Sequence, residues 1–222
     1  MRGSPVKVLC LCSTKGGGGK TTLCAHLAVQ AERAGDGPVA VIDTDPQASL
    51  ARWWNARQAE TPAFVQTTLA ELAQQLEALR ASGFKVVVID TPGADVSHTR
   101  TVLRLSDLVL IPSRPSPLDL GTLEATVNMV QAESRPLMFV LNAVTARTRI
   151  SAQAVMALSQ SGAVAAILHQ RTDYAAAMTD GRVAAELDAG SRSASEVAEL
   201  WQAISAALRK SKRMSAAREA AA

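Results

Sequence analysis

The chain has 222 residues, enough for one large domain with a substantial core. Hydrophobic residues make up 48% and charged residues 19%, which excludes a disordered chain; aromatics at 3% argue against a nucleic-acid surface built from stacked rings. The net charge is +3, but residues 209–222 alone carry +4, through Arg209, Lys210, Lys212, Arg213 and Arg218 against Glu219, so the remaining body sums to −1.

Short apolar runs alternate with longer helical patterns along the chain. Strands are predicted at 6–11, 39–42, 84–89, 108–111, 137–141 and 163–168. Helices are predicted at 21–34, 67–81, 97–105, 118–133, 151–161 and 194–209, with a loop and short helix at 46–60. The strands are continuously apolar rather than alternating, as parallel strands covered on both faces are. Strand–helix alternation implies right-handed crossovers and a doubly wound, mostly parallel α/β sheet flanked by helices. One domain is expected over 1–208, with 209–222 as a basic, flexible C-terminal tail. Cys10, Cys12 and Cys24 have neither disulfide nor zinc spacing and read as buried free thiols of a reducing compartment. No secretory leader is expected at the start, and no run reaches the roughly 18 apolar residues that a membrane span needs.

The chemistry concentrates where strands end. Residues 13–22 read Ser-Thr-Lys-Gly-Gly-Gly-Gly-Lys-Thr-Thr, placed after a strand and opening a helix. Glycines at 16–19 let backbone N–H groups curl around phosphate oxygens, and a helix N-terminus adds positive potential. Lys20 is expected to reach the β- and γ-phosphates, the Thr21 hydroxyl to sit on Mg²⁺, and Thr22 to bond the α-phosphate. Lys15 is redundant for holding phosphate within one chain. It suits charge delivered to a transition state, for instance in a neighbouring subunit, or a plain exposed lysine. Two further strands run into Asp43-Thr44-Asp45-Pro46-Gln47 and Asp90-Thr91-Pro92-Gly93. An aspartate in that position commonly caps a turn. Beside a phosphate loop, Asp90 suits the Mg²⁺ shell through water, Asp45 suits orienting the attacking water, and Asp43 reads as supporting.

Lys15–Thr22 as a deviant Walker A motif, Asp43–Gln47 as Walker A′ and Val86–Gly93 as Walker B together resemble the ParA/MinD superfamily of SIMIBI-like P-loop ATPases. The Ser106–Asp119 stretch is similar to that of the short ParF-type partition proteins. The resemblance implies a Mg²⁺-dependent ATPase using ATP and ADP, which forms an ATP sandwich homodimer with Lys15 crossing to the partner's nucleotide. Pro112–Pro117 would line the interface near the base, and Asn142 would read the adenine. It further implies non-specific DNA binding, hydrolysis stimulated by a ParB-like or cargo adaptor protein, and a cytoplasmic, nucleoid-associated life spent partitioning plasmid, chromosome or other cargo. Gly18 and Gly93 stand where many relatives place other residues.

Candidate DNA contacts are Arg147, Arg149, Arg171, Arg192, Lys210, Lys212 and Arg213. A MinD-like membrane-cycling ATPase is the alternative, because Val197, Leu200, Trp201, Ile204 and Leu208 form an apolar stripe followed by basic residues. A DNA-transfer accessory ATPase is a further reading. A metal-cluster carrier would need a cysteine pair placed elsewhere.

Overall fold

Strand β1 (Lys7–Leu11) feeds the glycine-rich loop and helix α1 (Lys20–Arg33), and the alternation continues through the chain. β2 (Val39–Asp43), α2 (Ser49–Ala56), β3 (Ala63–Phe64), α3 (Leu72–Ala81), β4 (Val86–Asp90) and α4 (Val96–Arg104) come next. β5 (Leu108–Ser113), α5 (Pro117–Gly121), α6 (Leu123–Ala132), β6 (Leu137–Val144), α7 (Arg149–Ser159) and β7 (Ala163–His169) follow. The chain closes with α8 (Thr172–Ala177), a 3₁₀ turn (Met178–Asp180), α9 (Ala184–Leu187) and α10 (Arg192–Ala220). This computed structural model describes residues 6–93 and 95–220, with side chains described as far as 210.

All seven strands are parallel, in the order β3-β2-β4-β1-β5-β6-β7. Successive residues of a strand face opposite sides. Leu9 and Leu11 of β1 and Val86 and Val88 of β4 therefore join α1, α2 and α10 in one core layer. Val8, Cys10, Val87 and Ile89 join α3, α4, α6 and α7 in the other. Both layers need apolar partners, which is why the strands are apolar throughout. All three cysteines are free and buried, as their surroundings suggest. β1 connects through the first layer and β4 through the second, so their carboxyl ends open the crevice where ligands of such sheets bind.

Four differences from the sequence reading have local causes. The helix expected at 118–133 is divided at Thr122, whose hydroxyl donates to the Asp119 carbonyl at 2.8 Å and ends α5 after one turn. The helix expected from 67 starts at Leu72, because Thr68 and Glu71 bond each other in the preceding turn. β3 has two residues, and α8 and α9 have six and four, too short to show a periodic signal. α10 runs on to Ala220, so the segment expected to be a flexible tail continues the helix; Ala, Lys, Arg and Met favour helix, and no Gly or Pro interrupts. The side chains of Lys212, Arg213 and Arg218 lie outside the described residues.

The stripe that raised the membrane alternative is covered. Val197, Leu200, Trp201, Ile204 and Leu208 are all buried against the sheet. Trp201 donates its indole N–H to Asp36 Oδ2 at 2.9 Å, and Ser205 donates to the same oxygen at 3.0 Å. Among the described residues, no helix is long and apolar enough to cross a membrane. Trp201→Ala should cost about 3–5 kcal/mol of stability in urea unfolding. A loss below about 1 kcal/mol would show that α10 is not part of the core.

Candidate nucleotide site

The loop after β1 turns through two glycines with positive φ, Gly17 (81°) and Gly19 (95°). Gly19 is the N-cap of α1 and supplies no side-chain cap, so the first N–H groups of the helix stay available to a ligand. Its positive φ favours glycine, and a Cβ there would meet Asn142 Nδ2 at 2.4 Å. A cavity of about 750 Å³ opens over the loop. Gly16, Gly17, Gly19, Lys20, Thr21 and Thr22 form its floor, with Asp45 and Gly93 beside them. The expected phosphate loop and the Walker A′ aspartate therefore share one cavity.

Asp90 ends β4 under this floor and is only 1% exposed. The Thr21 hydroxyl donates to its Oδ2 at 2.5 Å, while Oδ1 is buried with no partner among the described residues. Burial pushes the Asp90 carboxyl up to about 7; Thr21 and Lys20 oppose that rise, and Asp43 and Asp45 add to it. A buried carboxylate with one orphan oxygen, bonded to a threonine hydroxyl at a phosphate loop, offers the hard oxygen donors that Mg²⁺ prefers. The residues present thus fit the expected Mg²⁺ site. Among the described residues no group of three or more His, Cys, Asp or Glu is placed to hold a metal ion.

The two acidic strand ends are tied to each other. Thr44 donates its N–H and its hydroxyl to the Asp90 carbonyl, at 3.0 and 2.7 Å. Asp43 accepts from the N–H groups of Asp45 and Ala51 at 3.0 Å each, so it braces the loop and the start of α2. The Asp45 carboxylate accepts from Gln47 N–H through Oδ1 at 2.9 Å and lines the cavity. Gly93 brings the segment after β4 against the phosphate loop: a Cβ there would lie 3.5 Å from Lys20 Nζ and 3.4 Å from Gly16 N.

Lys15 points elsewhere. Its Nζ pairs with Asp119 Oδ1 of α5 at 2.5 Å, and Lys15 does not line the phosphate cavity. Thr14 is docked to the same region, its hydroxyl 2.9 Å from Thr126 Oγ1 and its N–H 3.2 Å from that atom. The pairing with Lys15 holds the Asp119 carboxyl below the usual carboxylate range.

Pro112 and Asn142, expected near the base, support the loop from outside the cavity instead. Pro112 is buried in β5, its carbonyl packed against Gly18. Asn142 donates from Nδ2 to Gly18 O at 3.0 Å and accepts from Ala143 N–H at 2.9 Å, leaving a second N–H and a second lone pair on its amide. Of the basic candidates, Arg171 is paired with Glu196 at 2.6 Å. Arg147, Arg149, Arg192 and Lys210 are exposed. The sequence reading missed Arg52, Trp53, Arg114 and the cavity wall of Ala175, Met178 and Thr179. Arg114 sits in the quoted proline-rich segment, but α8 offers no motif to find.

A parallel doubly wound sheet with a glycine-rich loop, a buried lysine and a buried strand-end aspartate defines a phosphate-loop nucleotide-binding protein. Residues 9–184 match the CobQ/CobB/MinD/ParA nucleotide binding domain, and the chain belongs to that family. It is 38% identical over 129 residues to the maintenance of carboxysome distribution protein A of Gloeobacter kilaueensis, covering 55% of this chain and 56% of the relative. The protein of the same name from Halothiobacillus neapolitanus is 27% identical over 198 residues, covering 85% and 91%. The chain spans about half the length of the first curated relatives it matches. The septum site-determining protein MinD from Pyrococcus horikoshii, solved with Mg-ADP, shares the fold with a TM-score of 0.74 at 16% identity, over 90% of this chain and 96% of that one. Lys20→Ala should abolish ATP binding in calorimetry without loss of helix content by circular dichroism; retained binding would overturn the site.

Proposed function

We propose that the chain is an ATPase that dimerises on ATP, binds DNA without sequence preference and positions a cargo, with hydrolysis stimulated by a ParB-like or cargo adaptor protein. The observation that carries this reading is the direction of Lys15. A lysine of the phosphate loop that turns away from its own cavity, with its side chain 46% exposed and paired with Asp119, supports a role at another chain's nucleotide. The family match, the carboxysome-distribution relatives and the MinD fold support a positioning role.

In this reading the loop N–H groups and Lys20 hold the phosphates, and Thr22 supports the α-phosphate. Thr21 and Asp90 would hold Mg²⁺, which supplies charge neutralisation between the β- and γ-phosphates when bound. Asp45 orients the water whose oxygen attacks the γ-phosphorus as the bond to the bridging oxygen breaks and ADP leaves. Lys15 from the partner meets the charge that develops there. Leaving Asp119 costs Lys15 little, because an ion pair this exposed is worth about 0–1 kcal/mol. Asp45→Ala should preserve ATP-dependent dimerisation and slow hydrolysis at least tenfold; unchanged turnover would reject its role.

The exposed basic residues among the DNA-contact candidates fall into two groups. Arg147, Arg149 and Arg192 sit at the carboxyl edge of the sheet or at helix starts beside it. Lys210 lies 18 residues further along α10, about 27 Å away at 1.5 Å per residue. Dimerisation doubles either set, and counterion release makes the affinity fall with salt. DNA binding should therefore require ATP and weaken by about tenfold or more between 50 and 200 mM salt in an anisotropy titration. Equal binding without nucleotide would contradict the switch. On this reading the protein works in the cytoplasm, on the nucleoid.

A further inference from the structure

The nucleotide cavity has two sides made by distant parts of the chain. Its floor is the phosphate loop and the first turn of α1. Its outer wall comes from Ser49, Arg52, Trp53 and Ala56 of α2, from Ala175 of α8 and from Met178 and Thr179 of the turn after it, so Trp53, Ala56, Ala175 and Met178 form its apolar part. Phosphates belong on the floor, where the N–H groups and Lys20 are. The wall is richer in apolar groups and is what the nucleoside part would meet.

One side chain ties the floor to α9, which packs behind the α8 part of the wall, through hydrogen bonds at both ends. His26, on α1 and 1% exposed, lies 2.8 Å through Nδ1 from the Thr22 carbonyl and 3.1 Å through Nε2 from the Ala184 N–H. A carbonyl needs a donor and an N–H needs an acceptor, so Nδ1 carries the proton and Nε2 accepts. Burial holds the ring's pKa down to about 4, which keeps it neutral and preserves this arrangement at ordinary pH. The ring also packs edge-on against Tyr174 of α8, with centroids 5.3 Å apart. The wall is tied to α2 as well: Trp53 donates Nε1–H to Arg182 O at 3.0 Å, and the buried Arg57 pairs with Glu186 of α9 at 2.6 Å.

We propose that His26 is a positioning residue for the nucleotide: it spaces the α8–α9 wall from the phosphate loop, so that the nucleoside is gripped between them while the phosphates are held by the loop alone. This rests on the nucleotide-binding reading above. His26 touches neither phosphate nor base; it acts through Thr22 on one side and Ala184 on the other. His26→Leu removes both hydrogen bonds and keeps an apolar filler. His26→Asn keeps one donor and one acceptor on a planar group.

The test compares ATP with inorganic tripolyphosphate, which has no nucleoside. His26→Leu should weaken ATP binding about tenfold while tripolyphosphate binds as in the unmodified protein, and His26→Asn should recover most of the ATP affinity. Equal ATP affinity in His26→Leu, or parallel loss of both ligands, would overturn the proposal, the latter by showing that His26 only supports the loop. The unmodified protein gives a second measurement that does not depend on a variant folding. Hydrogen exchange at the Ala184 amide should slow with ATP and not with tripolyphosphate, and slowing by both alike would also overturn it. Failure of the unmodified protein to bind ATP would instead sink the underlying nucleotide reading.

Discussion

Everything at the site depends on a carboxylate held where a carboxylate is unstable. Asp90 ends β4 inside the sheet, with one oxygen on the Thr21 hydroxyl and the other without a partner among the described residues. An uncompensated buried charge is expensive. The sheet can keep this one because Lys20, itself buried, lies close by, and because a cation and phosphates can complete the set. The contacts around Asp90 spread that requirement outward. Thr44 hangs from its carbonyl, Thr91 donates to Leu11 O at 2.8 Å, and Gly93 lies against Lys20 and Gly16. The Walker A′ loop, the end of β1 and the segment after β4 are thereby placed around one point, where a ligand's charge is felt by all three.

Lys15 depends on the same geometry in the opposite sense. Its loop is pinned to α6 through Thr14 and Thr126, and its ammonium is held by Asp119 outside the cavity. The half-exposed pair restrains the lysine without storing much energy. A nucleotide presented by a second chain can then take the lysine at small cost. Arg114 lines both the cavity and the cleft that holds the Lys15–Asp119 pair, so positive charge remains beside Asp119 after Lys15 leaves.

Much of this was legible in the sequence because it is written in local rules. Continuous apolar strands announced a parallel sheet covered on both faces. Ser13–Thr22 announced a phosphate loop through the positions of Gly19, Lys20 and Thr21, and strand-end aspartates announced Asp45 and Asp90. What stayed hidden depends on contacts between distant residues. Asp119 as the partner of Lys15 lies 104 residues away, and His26 meets Ala184 across 158. The bond from Asn142 to Gly18 O, across 124 residues, is likewise visible only in the fold. The terminal stripe looked suited to a membrane because periodicity gives the face of a helix and not what covers it. Arg171 looked like a free cation because Glu196, 25 residues on, carries no signal as its partner.

The central claim is that Lys15 works across a dimer while Asp45 works within its own chain. It is tested most directly by mixing two variants that each hydrolyse ATP slowly on their own, Lys15→Ala and Asp45→Ala, and measuring ATP hydrolysis. Each homodimer lacks one component at both sites. The mixed dimer has one complete site, in which the Lys15→Ala chain supplies Asp45 and receives Lys15 from its partner. Random pairing in a two-fold dimer predicts recovery of about a quarter of the unmodified activity. No recovery, with mixed dimers shown to form on ATP, would contradict the account.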